Sequence, residues 1–355
     1  METPYVLIDM GLLHKNINAM AAFAASNGIK LRPHIKAHKL PEIAWMQIKA
    51  GASGITVAKL SEAEVMFAAG IKDILVAYPL IGESKLERAA ELLRRGCKLS
   101  LLVDSQVGAQ QISDLAAPGG TNVLVKVDSG LGRCGLAPGP GLEEFVHWLC
   151  RLPHLNFRGL LTHAGHAYGC SSAAEVAQVG TKEGELMVEA AESLRRQGVN
   201  VAEVSIGSTP TVGWGGRVPG VTEIRPGNYV FNDATQVALG VVGRERCSLR
   251  VIATVVSRPA ADRAIIDAGA KVLALDQGAH GSGTVTGYGL MENASWRLTR
   301  LSEEHGIVEG TNLPAIGDIV QVIPNHACPV INLAEKVRTS NGQEWKVAAR
   351  DGFGE

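Results

Sequence analysis

The sequence predicts an α/β chain, a (β/α)8 barrel of the TIM type followed by an antiparallel β-domain. Three observations carry this. The first two-thirds alternates short β-branched runs with amphipathic stretches, the grammar of strand–helix units in series. Eight such runs can be counted, the number that closes a parallel barrel. After about residue 236 the helical periods largely vanish, and apolar runs separated by turn signals take over.

Taken in order, TPYVLIDM precedes the first helix and reads as a strand lent to the β-domain, and residues 11–26 read as that helix. The eight barrel strands are expected at 29–35, 54–58, 73–77, 98–103, 122–128, 157–162, 202–206 and 221–225. Between the first two lies PEIAWMQIKA (41–50), with Pro41 suited to a first helical turn and Gly51 to a stop. Ser61 with Glu64, and Ser84 with Glu87, have capping-box spacing ahead of apolar faces. Residues 173–197 make the longest helical stretch, whereas TPTVGWGGRVPG, before strand eight, is too glycine-rich for a long helix. In the last third LRVIATVVSRP, DRAIIDAG, GIVEG, GDIVQVIP and EWKVAAR are the strand candidates. The expected division is a barrel over 10–235 and a β-domain over 236–355 that borrows a strand from 1–9.

Composition bounds the function. Hydrophobic content is 46% and charged content 19% over 355 residues, enough for a sizeable core and unlike a disordered chain. A formal net charge of −1 argues against nucleic acid or an anionic membrane as partner. No apolar run is long enough to span a bilayer, and the start lacks the basic-then-apolar pattern of a signal peptide. Cys97, Cys134, Cys150, Cys170, Cys247 and Cys328 are dispersed, which fits a reducing cytoplasm better than a disulfide framework.

In a barrel of this type the chemistry gathers at the C-terminal strand ends. Strand one runs into RPHIKAHK, with Lys36, His38 and Lys39; strand five into Asp128 and SGLGRCG, with Arg133; strand six into His163, His166 and Tyr168. Strand seven ends in Gly207, Ser208 and Thr209, and strand eight in Arg225, Gly227, Asn228 and Tyr229. A lysine after a strand is usually a solvated surface residue, and Gly-Ser-Thr is common in ordinary turns. Yet RPHIKAHK is denser in cations than a surface strand needs, and loops after strands seven and eight hold phosphate in many barrels. One amine opposite a phosphate cup is the equipment for pyridoxal phosphate. His163 reads either as a bonded core histidine or as a ring lying flat on the cofactor. Arg133, between glycines, reads as a loop arginine or as a cofactor or substrate contact.

A second group is PNHACPVINL. His326 and Cys328 stand two apart, which on a strand points both to one face. Imidazole and thiolate together suit a borderline-soft divalent ion, zinc first. A buried cysteine is more often a small hydrophobe. Two ligands leave positions open for water or substrate, as in a catalytic site. Glu304 and His305 in LSEEHG are possible acid–base groups, with a solvated hairpin as the default.

RPHIKAHK, GITVAKLSEAEVM, DILVAYPL, VDSGLGRCG, GLLTHAGHAYG, GSTPT, EIRPGNYVF and PNHACP, in that order, resemble the D-threonine aldolase and D-serine dehydratase family of pyridoxal-phosphate enzymes, which is related to the alanine racemase fold. The resemblance covers nearly the whole chain. It implies a barrel plus β-domain, a homodimer, pyridoxal phosphate held as an imine on Lys36, and a divalent metal at His326 and Cys328, zinc ahead of manganese or magnesium. It also implies that His163 stacks on the pyridine ring, that Arg133 contacts cofactor or substrate, and that 207–209 and 227–229 hold the phosphate. Arg225 sits where alanine racemase has an arginine facing the pyridine nitrogen. Aldolase members tend to carry aspartate where Cys328 stands, and dehydratase members cysteine, so the resemblance tilts toward a dehydratase of D-serine or D-threonine.

Four other readings stand beside it. An aldolase would break Cα–Cβ and release glycine. A racemase would need a second acid–base on the opposite face, supplied by Tyr168 or by a residue of a partner subunit. A pyridoxal-phosphate carrier would do no chemistry, but leaves the β-domain and the His-x-Cys pair unexplained. A metal-dependent hydrolase using His34, His38, His163 and His166 leaves Lys36 and both phosphate loops unexplained.

Overall fold

The computed structural model describes residues 2–115, 120–283 and 285–350; Met1 and 351–355, expected in the β-domain, lie outside the described residues. The chain opens with β1 (Tyr5–Ile8) and α1 (Met10–Ser26), whose N-cap Asp9 accepts from the Leu12 amide. Then come β2 (Lys30–Leu31), α2 (Pro41–Lys49), β3 (Ile55–Val57), α3 (Leu60–Ala68), β4 (Asp73–Pro79), α4 (Glu83–Arg94), β5 (Lys98–Val103) and α5 (Gln106–Leu115). The series continues with β6 (Thr121–Lys126), α6 (Pro140–Leu149), β7 (Leu155–Leu161), α7 (Ala173–Arg196), β8 (Glu203–Ile206), the single turn α8 (Val212–Gly215) and β9 (Glu223–Ile224).

These eight strands, β2 to β9, form one parallel sheet in the order β2-β9-β8-β7-β6-β5-β4-β3. Its edges meet through a parallel bridge between His34 and Thr56, so the sheet curls into the expected barrel. Leu75, Leu102, Leu124 and Leu161, one from each of four neighbouring strands, pack as a separate buried cluster. The first and last strands are only two residues long; Lys36 lies past β2, in a 3-10 turn (Ile35–Ala37).

Two capping expectations shift. Helix α3 starts two residues earlier than the Ser61–Glu64 spacing implies: its N-cap is Lys59, and Glu62 reaches back to the Ala58 and Lys59 amides. Helix α4 is entered from Gly82, not Ser84.

The second sheet begins after α9 (Ala234–Ala238). It holds β10 (Leu249–Ala260), β11 (Arg263–Ile266), β12 (Gly289–Met291), β13 (Trp296–Leu301), β14 (Gly306–Gly310), β15 (Ile319–Pro324), β16 (Lys336–Thr339) and β17 (Glu344–Lys346). Nearly all its pairings are antiparallel, and the extra β10–β11 pairing closes one end on itself. The N-terminal β1 pairs antiparallel with β10 and parallel with β16, as TPYVLIDM suggests. The segment after β15 is a helix, α10 (Ala327–Leu333), so His326 and Cys328 are not on a strand. One apolar cluster joins the two parts: Leu13 and Ile17 of α1, Ile43 of α2 and Phe231 pack with Val251, Val322 and Val330. This packing sets the β-domain against the C-terminal mouth of the barrel.

Candidate active site

At that mouth lies a cavity of about 570 Å³ lined by Lys36, Arg133, His163, Tyr168, Gly207, Ser208, Thr209, Arg225, Gly227, Asn228, His326 and Cys328. The structure therefore gathers from six separate stretches nearly every residue that the sequence assigned to cofactor, substrate or metal. Among the residues assigned to the cofactor, the exception is Tyr229. Its ring is buried in the core below, its hydroxyl accepts from Gln47, and its amide donates to Thr209 Oγ1.

Lys36 is presented by the turn that follows β2, where His34 Nδ1 accepts from the Lys36 amide at 3.4 Å. Withdrawal from water lowers the Lys36 pKa, Cys328 pulls it back, and the Arg133 cation lowers it further. His34 is held neutral, first by burial and then by Lys36 and Arg225. His38 is structural: its Nδ1 accepts from the Leu40 amide, its Nε2 meets Gln47 Oε1 at 3.2 Å, and burial drops its pKa to about 3. With both ring nitrogens engaged, His38 cannot ligate a metal in the cavity, which removes the four-histidine hydrolase reading. Among the described residues no group of three His, Cys, Asp or Glu side chains is placed to hold an ion.

Asp128 builds the Arg133 loop. Although desolvation opposes it, the amides of Gly130, Leu131 and Gly132 hold its carboxyl low and fold the segment back on itself. His163 points Nδ1 at the Gly207 carbonyl, 2.8 Å away; a carbonyl only accepts, so the proton is on Nδ1. Gly165 gives the ring its room, since a Cβ there would stand 3.1 Å from His163 Nε2.

The two loops after β8 and β9 are fit for an anion. The amides of Thr209, Gly227 and Asn228 find no protein acceptor among the described residues. Glycine is required at 227, where a Cβ would sit 2.9 Å from the His34 carbonyl oxygen. Six cations (Lys36, Lys39, Lys59, Lys126, Arg133, Arg225) face one carboxylate, Glu62, across the cavity. Such an excess is stable when anions enter. Arg225 is buried, donating to Ser205 Oγ and the Thr162 carbonyl; burial lowers its pKa to about 10 against the pull of Glu223 and Glu183.

His326 caps α10, and Cys328 lies in its first turn, within hydrogen-bond reach of the imidazole. Asp276 Oδ2 lies 2.8 Å from His326 Nδ1, so Nε2 is the nitrogen left to an ion, backed by a carboxylate as metal-binding histidines commonly are. Burial opposes the charged ring, but Cys328 and Asp276 raise its pKa to about 10. An imidazole nitrogen beside a thiol matches a borderline-soft divalent ion. Glu304, by contrast, pairs with Lys271 in an exposed hairpin and His305 closes that hairpin's turn, so neither reaches the cavity.

Sequence reasoning missed the groups that support this site. Lys126, at the end of β6, is 4% exposed, and burial, followed by Arg225, lowers its pKa to about 7. Glu183 of α7 accepts from the Ala164 and Gly207 amides at 3.0 and 3.1 Å and from Thr211 Oγ1 at 3.0 Å. Lys39, already named at the end of strand one, reaches Asn332 Oδ1 at 2.6 Å and Glu62 at 3.5 Å, and so pins the turn to α10.

Known proteins match along the whole chain. The family model for the N-terminal domain of alanine racemase covers residues 8–234, and that of a putative serine dehydratase domain covers 248–339. D-threo-3-hydroxyaspartate dehydratase of Delftia sp. (strain HT23) is 36% identical over 350 residues, covering 92% of this chain and 91% of that protein. D-threonine aldolase of Arthrobacter sp is 32% identical over 361 residues, covering 98% and 93%. The crystal structure of D-threonine aldolase from Filomicrobium marinum superposes with a TM-score of 0.90 at 29% identity, covering 99% of this chain and 96% of that one.

Proposed function

The chain belongs to the family of the alanine racemase N-terminal domain, and from that premise we propose that it is a pyridoxal-phosphate- and divalent-metal-dependent lyase of D-3-hydroxy amino acids that works as a dehydratase. The relatives named above are lyases of such substrates. One observation carries the reading: Lys36, two loops with unpaired amides and the His326–Cys328 pair share one cavity.

When bound, pyridoxal phosphate supplies an electron sink at the substrate Cα, and the metal supplies Lewis-acid pull on the β-hydroxyl. Lys36 is the side chain that would hold the cofactor aldehyde, and its amine, whose pKa is lowered, would be the base for the substrate Cα proton. Thr209, Gly227 and Asn228 bind the phosphate through their amides, with Gly207 and Ser208 shaping the same cup and the Tyr229 amide orienting Thr209. His163, its tautomer fixed by the Gly207 carbonyl, would support the pyridine ring, and Arg225 would be the partner of the pyridine nitrogen. Arg133 takes a carboxylate, and Tyr168 closes the wall. His326 and Cys328 hold the ion, zinc in preference to manganese or magnesium. Residues 10–235 make the cofactor domain, and 236–355 with 1–9 make the domain that brings the metal. We place the enzyme as a cytoplasmic homodimer. No described helix is long and apolar enough to cross a membrane.

The test is incubation with D-serine, D-threonine and D-threo-3-hydroxyaspartate, assaying 2-oxo acid and glycine separately. Keto acid with ammonia is expected. Glycine without keto acid would replace dehydration by aldol cleavage, epimer alone by racemisation, and a yellow protein inert to all three by a carrier role.

A further inference from the structure

Asp233 is fully buried and takes no part in the chemistry above. Its Oδ2 accepts from Asn228 Nδ2 at 2.6 Å and from the Ala327 amide at 2.9 Å, and its Oδ1 accepts from the Gln236 amide at 3.1 Å. Asn228 belongs to the anion-ready loop after β9. Ala327 stands between His326 and Cys328. One carboxylate oxygen thus joins the two halves of the site by two hydrogen bonds. Thr235 doubles the grip, donating from its amide and its hydroxyl to the Asn325 carbonyl at 3.2 and 2.6 Å. The residues that carry the metal donors therefore hang on 233–235, a few positions beyond the phosphate loop. No sequence motif announces this, because the partners are separated by 94 residues.

We propose that Asp233 is a positioning residue that fixes the metal-bearing turn against the phosphate loop and couples the filling of the two sites. The inference rests on the cofactor and metal assignments above. An anion on the Gly227 and Asn228 amides restrains Asn228. Through Asp233 Oδ2 it also restrains Ala327 and the donors on either side. The ordering that one ligand brings about need not be repeated for the other, so each site binds more tightly when its neighbour is filled. The effect is reciprocal: zinc must tighten pyridoxal phosphate by the same factor as pyridoxal phosphate tightens zinc.

The test uses the full chain stripped of both groups. Zinc affinity is measured by competition with a chromophoric chelator, with and without pyridoxal phosphate, and pyridoxal phosphate affinity by absorbance, with and without zinc. In the wild type the two factors should agree and lie roughly in the 5- to 150-fold range usual for coupled sites. In Asp233→Ala both hydrogen bonds that meet at Oδ2 are lost, so the link between Asn228 and Ala327 is gone and the factor should fall to near 1. Asn228→Ala cuts the link while leaving Asp233 bonded to Ala327 and Gln236; it should also bring the factor to near 1, and serves if the first variant does not fold. A lowered melting temperature with an unchanged factor would make Asp233 merely structural and overturn the proposal, as would a wild-type factor of 1. A wild type that binds only one of the two groups would instead fail the cofactor and metal assignments, and this inference with them.

Discussion

Removing the Glu183 carboxylate should loosen the cofactor loops without altering any side chain that lines the cavity. Glu183 is 2% exposed and sits beneath the strand-seven turn and the His163 segment. In Glu183→Ala the Ala164 and Gly207 amides lose their acceptor, while Thr211 Oγ1 can still turn to the Ser208 carbonyl at 3.3 Å. Each stranded buried amide costs roughly 1–3 kcal/mol, or about 2–6 for the pair. Burial pushes the Glu183 carboxyl up, so the wild-type charge is itself disfavoured and its removal returns part of that cost; the net expectation is about 3 kcal/mol. Glu183→Gln keeps an accepting oxygen for the two amides and turns its NH2 toward the Thr211 hydroxyl, and should cost about 1 kcal/mol. The assay is the urea midpoint at unchanged slope, alongside pyridoxal phosphate affinity, which should weaken in the same order. The pH dependence adds a sign. A carboxyl raised in the folded state contributes stability that is complete below its unfolded value and lost as pH rises through the folded one. The wild type should therefore lose ground to Glu183→Gln as pH rises. An alanine variant within ~0.5 kcal/mol of wild type, the scatter of an ordinary surface change, with unaltered cofactor affinity would refute the reasoning.

Three further outcomes are expected. Cys328→Ala should lose bound metal and turnover while keeping the yellow cofactor colour, read by metal analysis and absorbance; full activity in chelator would remove the metal from the reaction. Because burial first and Arg133 second lower the Lys36 pKa, Arg133→Gln should move the midpoint of Lys36 acylation in the apo-enzyme to higher pH. Gly227→Ala forces a Cβ to 2.9 Å from the His34 carbonyl oxygen, so it should cost roughly 1–3 kcal/mol and weaken pyridoxal phosphate binding, measured by melting and by absorbance titration.

The barrel was legible because its strands are apolar runs with turn signals beside them, and such patterns are local. Even so β2 and β9 proved to be two residues each, since RPHIKA and RPGN turn away from the ladder to face the cavity. The short β12 of the second sheet, three residues over Gly289–Met291, left no readable period. His326 and Cys328 do meet, but for a different reason than strand alternation: Pro329 can sit in the first turn of α10, where its missing amide costs nothing. Most reactive side chains could be read because they follow strand ends. Lys126, Glu183 and Asp233 could not. Their importance comes from burial and from partners distant in the chain, as between Glu183 and Gly207 or Asp233 and Ala327.

The most direct measurement is borohydride reduction of the purified yellow protein followed by peptide mapping. A pyridoxyl group fixed on Lys36, with none on Lys39, Lys59 or Lys126 of the same cavity, is the predicted result. A label on another lysine, or a protein that reduction leaves unlabelled, would contradict it.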